Sequence, residues 1–338
     1  MKKYLAILTS IFMVMALMTV ATAASVKPEE EWKIVVVPKE DLSPWFVRMK
    51  VGVDAYAAET GLNAYQKGPA AIDAAMQVQV VQDMIAQGVD AICVVPIDPA
   101  ALEPILADAM EKGIVVVTHE GSTQENTMVN IEAFVNRDFG GFLMDNLAKA
   151  MGETGTYTTM VGFLTNASHN EWMDGAIARQ QELYPNMTLL GANPRVESED
   201  NRDTAYQRAK ELFKMYPELD GIVGSASTDA PGSGRAAEEL GIAGEFKIVG
   251  TGTPNENRPY LEGNIVSAIA LWDPAAAGYA MCEMAVQILR NGVDIVADGI
   301  DLNQPGWDNM QFEAPGSKTM VGAGWIAIDA SNVGEYDF

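Results

Sequence analysis

The side chains able to do chemistry gather where apolar runs end. His119-Glu120 follows the run Ile114 to Thr118; Ser225, Ser227 and Asp229 follow Gly221-Ile222-Val223. Lys39, Trp45 and Phe46 come just after Ile34 to Val37, and Ser168-His169-Asn170-Glu171-Trp172 comes after Tyr157 to Phe163. Thr253 follows Lys247 to Thr251, and Trp272-Asp273 closes Val266 to Leu271. These groups offer hydrogen bonds beside aromatic faces. They do not assemble into an obvious catalytic set: there are two histidines, no Gly-x-Ser-x-Gly elbow and no metal-ligand spacing. Gly250-Thr251-Gly252 lacks the third glycine and trailing acid of a dinucleotide site, and Asp301-Leu302-Asn303 starts like a calcium loop but breaks at Pro305. An exported α/β enzyme is therefore the weaker reading, and no metal or cofactor is expected.

The elements that must position these groups alternate in the α/β manner. One phrase occurs twice, as Val89-Asp90-Ala91-Ile92-Cys93-Val94 and as Leu219-Asp220-Gly221-Ile222-Val223-Gly224. Each copy reads as a buried strand, then a polar turn, an Ala-rich helix, a glycine (Gly113, Gly241) and a β-branched run. Two such units predict two similar lobes with a ligand cleft at the carboxyl ends of the strands. Helices are expected over 138 to 151, 170 to 183, 202 to 215 and 273 to 289. Residues 291 to 318 show little periodicity, and Met320 to Ile328 reads as one final strand.

The first residues, Lys2-Lys3, an apolar stretch from Tyr4 to Val20 and Ala21-Thr22-Ala23, read as a signal peptide spanning residues 1 to 23. No cysteine stands at the cleavage point, so a free, exported, periplasmic protein without a lipid anchor is expected. About 315 of the 338 residues remain, enough for two lobes. Without Lys2 and Lys3, 20 basic residues face 46 acidic ones, a net charge of −26 that disfavours nucleic acid as a partner. Export would permit a disulfide between Cys93 and Cys282, although nothing in their spacing demands one.

Gly252-Thr253-Pro254-Asn255-Glu256-Asn257-Arg258-Pro259-Tyr260-Leu261-Glu262-Gly263, with Ala270-Leu271-Trp272-Asp273 after it, resembles the type I periplasmic sugar-binding proteins of ABC importers. The pattern is most similar to the branch that includes autoinducer-2-binding and rhamnose-binding proteins. Val37-Pro38-Lys39 and the ending Asn332 to Phe338 fit as well. The resemblance implies a periplasmic binding protein type I fold: two Rossmann-like lobes joined by three crossover strands. It implies a first lobe of 32–134 plus 272–295 and a second of 135–266 plus 296–338, with crossings near 134, 268 and 300–320. The function implied is capture of a small sugar or polyol by a monomeric receptor, for delivery to an ABC permease of the inner membrane.

A sugar needs a flat apolar surface and bidentate polar groups in a cleft that excludes water. The candidates are Lys39, Trp45, Phe46, His119, Glu120, His169, Asn170, Ser225, Ser227, Asp229, Thr253, Trp272 and Asp273. Several have a purely structural alternative. Trp45 and Phe46 could staple a helix start, Asn170 and Asp229 could be N-caps, Trp272 could be core, and Asp273 could cap the next helix. Autoinducer-2-binding members share Lys39, but Glu120 stands for an Asp, Ser168-His169 for an Asp-Gln pair, and Ser225-Ala226-Ser227 for a Pro-x-Ala run. A neutral sugar or polyol is therefore expected ahead of autoinducer-2.

Overall fold

The computed structural model describes residues 27–192 and 194–338. The expected signal peptide lies outside them. The described residues form two α/β lobes, each a mostly parallel seven-stranded sheet with helices on both faces.

The first sheet runs Gln311–Phe312, Thr319–Val321, Val129–Glu132, Val115–His119, Ala91–Val94, Lys33–Val37, Asn63–Gln66. Its strands are apolar throughout because both faces are covered. Ile34, Val36 and Cys93 join the cluster under helices Pro44–Thr60 and Pro274–Asn291, while Val35, Val37, Ile92 and Val94 pack on Leu102, Leu106 and Val81 of the opposite helices.

The second sheet is wired the same way: Ile326–Ile328, Ala268–Leu271, Lys247–Gly250, Leu219–Gly224, Gly155–Val161. Met187–Leu189 and Arg195–Glu197 pair with successive parts of the last of these. The second short strand was not anticipated, because only three residues separate one turn from the next.

The repeated aspartates have a structural task away from the cleft. Asp90 Oδ2 accepts from the Lys33 backbone N–H at 2.8 Å, and Asp220 Oδ2 accepts from the Thr156 N–H at 2.8 Å. Each thus ties a middle strand to the start of its lobe's first strand.

Helix positions are set by close crossings. A Cβ on Gly52 would stand 1.8 Å from the Ala275 carbonyl oxygen, and one on Gly140 would stand 1.8 Å from that of Trp172. Backbone meets backbone at both places. Pro44–Thr60 is thereby locked to Pro274–Asn291, and Asn136–Met151 to Ala167–Leu183, which fixes where two cleft-facing helices begin.

The chain passes between sheets at 133–135, 272–273 and 322–325, between paired strands. One expectation is corrected here. Residues 296–338 do not all belong to the second lobe, since Gln311–Phe312 and Thr319–Val321 pair in the first sheet and only Ile326–Ile328 joins the second. The run Met320 to Ile328 is accordingly two strands in two sheets, interrupted by Gly322-Ala323-Gly324-Trp325. Cys93 and Cys282 are both free and buried.

Candidate functional site

The loops at the carboxyl ends of the two sheets face each other across one cleft. From the first lobe, Pro38–Ser43 leaves the strand Lys33–Val37 and brings in Lys39, which is 3% exposed. The next residues start a helix, Ser43 as N-cap and Pro44 at its first position, so Trp45 and Phe46 stand at the cleft wall and are buried. Glu120 follows Val115–His119 with φ of +58°, a left-handed turn that aims its carboxylate inward.

From the second lobe, the helix Ala167–Leu183 starts three residues earlier than expected, because Asn166 rather than Asn170 is the cap, accepting from the His169 N–H at 3.0 Å. His169 therefore sits in the first turn, over the cleft. Asp200 comes from the loop after Arg195–Glu197, and Ser225, Ser227 and Thr228 follow Leu219–Gly224.

The polar centre is Lys39. Its Nζ donates to Glu120 Oε2 at 3.0 Å and lies 3.9 Å from Asp200 Oδ2. Burial pulls the ammonium down, and the Glu120 and Asp200 carboxylates more than reverse this, so it stays charged. His169 lies between the lobes, with Nε2 3.9 Å from Glu120 Oε2 and Nδ1 3.9 Å from Asp200 Oδ1. Its Nδ1 accepts from the Gly162 N–H at 3.3 Å, which leaves the ring proton on Nε2. Burial, reinforced by the Lys39 charge, pushes His169 well below the usual histidine range, so it is neutral.

The aromatic wall is built around Trp272, at the second crossing and 1% exposed. Trp45 meets it edge-on at 4.9 Å from the first lobe and Trp172 at 5.6 Å from the second. Trp172 Nε1 is used, donating to Asn136 Oδ1 at 2.8 Å; Trp272 Nε1 is buried with no partner.

Eight of the thirteen expected residues line this cleft: Lys39, Trp45, Phe46, Glu120, His169, Ser225, Ser227 and Trp272. Five do not, and each is held elsewhere. His119 is fully buried one layer back, Nδ1 donating to the Ile131 carbonyl at 2.7 Å, its ring between Trp272 and Trp307. Asn170 donates to the Phe163 and Asn166 carbonyls and accepts from Arg195 Nη1 at 2.8 Å. Asp229 Oδ2 accepts from the backbone N–H groups of Ser225 and Ala226, bracing that loop. Thr253 Oγ1 donates to Glu256 at 3.1 Å and opens onto a different surface. Asp273 caps the helix Pro274–Asn291 through the Ala275 N–H and is held by a bidentate pair with Arg48, at 2.8 and 2.6 Å.

Among the lining residues not chosen from the sequence are Asp200, Trp172, Thr228 and Thr251. Asp200 follows the short strand that went unrecognised; with that strand in hand, the strand-end rule finds it.

Burial pushes the Asp229 carboxyl up to about 7, against the pull of hydrogen bonds from Ser198 and from the Ala226 and Ser225 N–H groups. The folded state therefore holds this proton more tightly than the unfolded chain does. The associated stability is fully present below the ordinary pKa of 3.8 and is lost as pH rises through about 7. We expect the wild type to lose stability relative to Asp229→Asn between about pH 4 and 7, against the opposite contribution of the buried neutral histidines. A calorimetric pH series checks it; an unchanged slope in the variant refutes it.

Residues 34–292 match the family model described as periplasmic binding protein domain. The chain belongs to that family. Family members are binding proteins of ABC importers rather than enzymes, which accords with the lack of a nucleophile-base arrangement in the sequence. Two solved structures carry the fold of this periplasmic binding protein over nearly its whole length. LsrB from Clostridium saccharobutylicum, in complex with AI-2, superposes with a TM-score of 0.83 at 22% identity, covering 90% of this chain and 100% of that one. An ABC transporter solute-binding protein from Clostridium phytofermentas with bound L-rhamnose gives a TM-score of 0.83 at 19% identity, with 90% and 98% covered. A xylitol-binding protein of Mycolicibacterium smegmatis is 25% identical over 237 residues, 69% of this chain and 65% of the relative. Two equally similar folds hold different ligands, so this periplasmic binding protein's ligand must be read from its own cleft. No helix among the described residues is long and apolar enough to cross a membrane.

Proposed function

We propose that this protein captures a small sugar or polyol between its two lobes and delivers it to an ABC permease of the inner membrane, acting as an exported monomer of the periplasm without a lipid anchor. The observation that carries the reading is a set of buried polar atoms without hydrogen-bond partners in an aromatic-walled cleft: Asp200 Oδ2, Trp272 Nε1 and Thr251 Oγ1. Buried polar groups are nearly always paired, and a ring of hydroxyls supplies both the donors and the acceptors these atoms want. The aromatic rings of Trp45, Trp172 and Trp272 supply the apolar surface that the C–H faces of a sugar require.

Contacts across the cleft support hinge closure. Lys39 faces Asp200, His169 faces Glu120, and Ser122 Oγ of the first lobe donates to Glu171 Oε1 of the second at 2.7 Å. A ligand that adds bonds to both walls favours the closed arrangement.

The test is a thermal-shift screen of the purified protein against xylitol, L-rhamnose, D-ribose, other pentoses and hexoses, and autoinducer-2. A ligand at a hundredfold above its Kd stabilises the fold by about 2.7 kcal/mol. A shift with a sugar or polyol is the expected result. A shift with autoinducer-2 alone would make this a signal receptor, and no shift with any compound would remove the reading.

A further inference from the structure

Asp200 is presented in a way its neighbours are not. Glu199 and Asp200 have φ of +60° and +49°, two consecutive left-handed residues that carry side chains. Gly162 makes the room, since a Cβ there would stand 2.3 Å from Asp200 Oδ1. Asp200 Oδ2 is buried without a hydrogen-bond partner. Its nearest cation, Lys39 Nζ at 3.9 Å, already donates to Glu120. Trp272 Nε1 and Thr251 Oγ1, both nine-tenths buried or more, are unpartnered in the same cleft.

The charges in the cleft are therefore two carboxylates and one shared ammonium, beside a neutral histidine. Among the described residues no arginine lines it: Arg48 is paired with Asp273, and Arg195 with Asp174 and Asn170. A buried carboxylate needs donors. A ligand carboxylate brings none and would set a third negative charge beside one cation.

Resting on the sugar-or-polyol reading, we propose that Asp200 is the specificity-determining group of the cleft. It accepts from adjacent hydroxyls, or from an ammonium group, of the ligand. It thereby selects neutral and amino sugars or polyols and rejects their acid forms.

Titration calorimetry on the purified protein at pH 7.5 tests this with matched sets: xylitol with D-xylonate, D-ribose with D-ribonate, L-rhamnose with L-rhamnonate, and D-galactose with D-galactosamine and D-galacturonate. The expected result is a neutral member that binds and an acid counterpart about 100-fold weaker or worse. Asp200→Asn is expected to weaken the neutral ligand about 10-fold or more and to narrow the neutral-to-acid gap by a similar factor. Asp200→Glu keeps the charge and is expected to keep the gap while losing affinity; it serves if the Asn variant does not fold. An acid that binds as well as its neutral partner overturns the assignment and leaves the receptor reading standing. So does an Asp200→Asn protein with unchanged affinity and preference. If no member of any set binds, the receptor reading falls and this inference with it.

Discussion

Trp272→Ala is expected to abolish ligand binding and to lower the stability of the unliganded protein by about 3–5 kcal/mol. The two losses share one cause. Trp272 is 1% exposed at the second crossing, where Trp45 of one lobe, Trp172 of the other, His119 and Phe134 all meet its ring between 4.9 and 5.6 Å. Removing the indole opens a cavity where the lobes join, and the surrounding rings lose the surface that fixes them. The same ring carries the unpartnered Nε1. Trp272→Phe separates the two effects, because it keeps most of the packing and deletes only the donor. A roughly tenfold loss of affinity with a stability change of about 1 kcal/mol is expected. Urea unfolding paired with ligand titration checks both variants; an Ala variant that keeps its affinity would show that the indole does not touch the ligand.

Lys39→Met is expected to cost about 3–5 kcal/mol as well, for an electrostatic reason. It leaves Glu120 and Asp200 buried at the closed interface with no counter-charge between them. The double variant Lys39→Met/Glu120→Gln removes one of the stranded charges and should recover part of the loss. A double-mutant cycle reads that coupling directly. Mild acid should also relieve the single variant, since the Asp200 carboxyl, already pushed up by burial, can then take up a proton. A single variant as stable as the wild type at pH 7.5 would mean that solvent, not Lys39, balances these carboxylates.

The lobes were legible because their signal is local. Apolar runs of four to six residues, turn residues after them and glycines at helix ends mark each unit, and the duplicated Asp90 and Asp220 phrases announce two of them. The aspartates themselves anchor strand starts. What escaped is what depends on long-range pairing. Thr319–Val321 and Ile326–Ile328 look like one strand because both are apolar, and only their partners in different sheets reveal the third crossing.

In the site, strand-end position identified Lys39, Glu120, His169 and Ser225, since the backbone delivers them whatever the side-chain packing. It could not tell which polar groups were already satisfied. Asp273 and Asn170 satisfy themselves on Arg48 and Arg195, partners brought close only by the fold. Trp272 is both buried among the rings at the second crossing and part of the cleft lining, so core and cleft wall are not alternatives at this position.

The central claim is that the ligand is enclosed between the lobes and touched from both sides. A crystal structure with the sugar or polyol that gives the largest thermal shift tests it most directly. We predict ligand density beside Trp272, with hydroxyls on Lys39 or Glu120 of the first lobe and on Asp200 or His169 of the second. Density on an outer surface, with the cleft occupied only by water, would contradict the account.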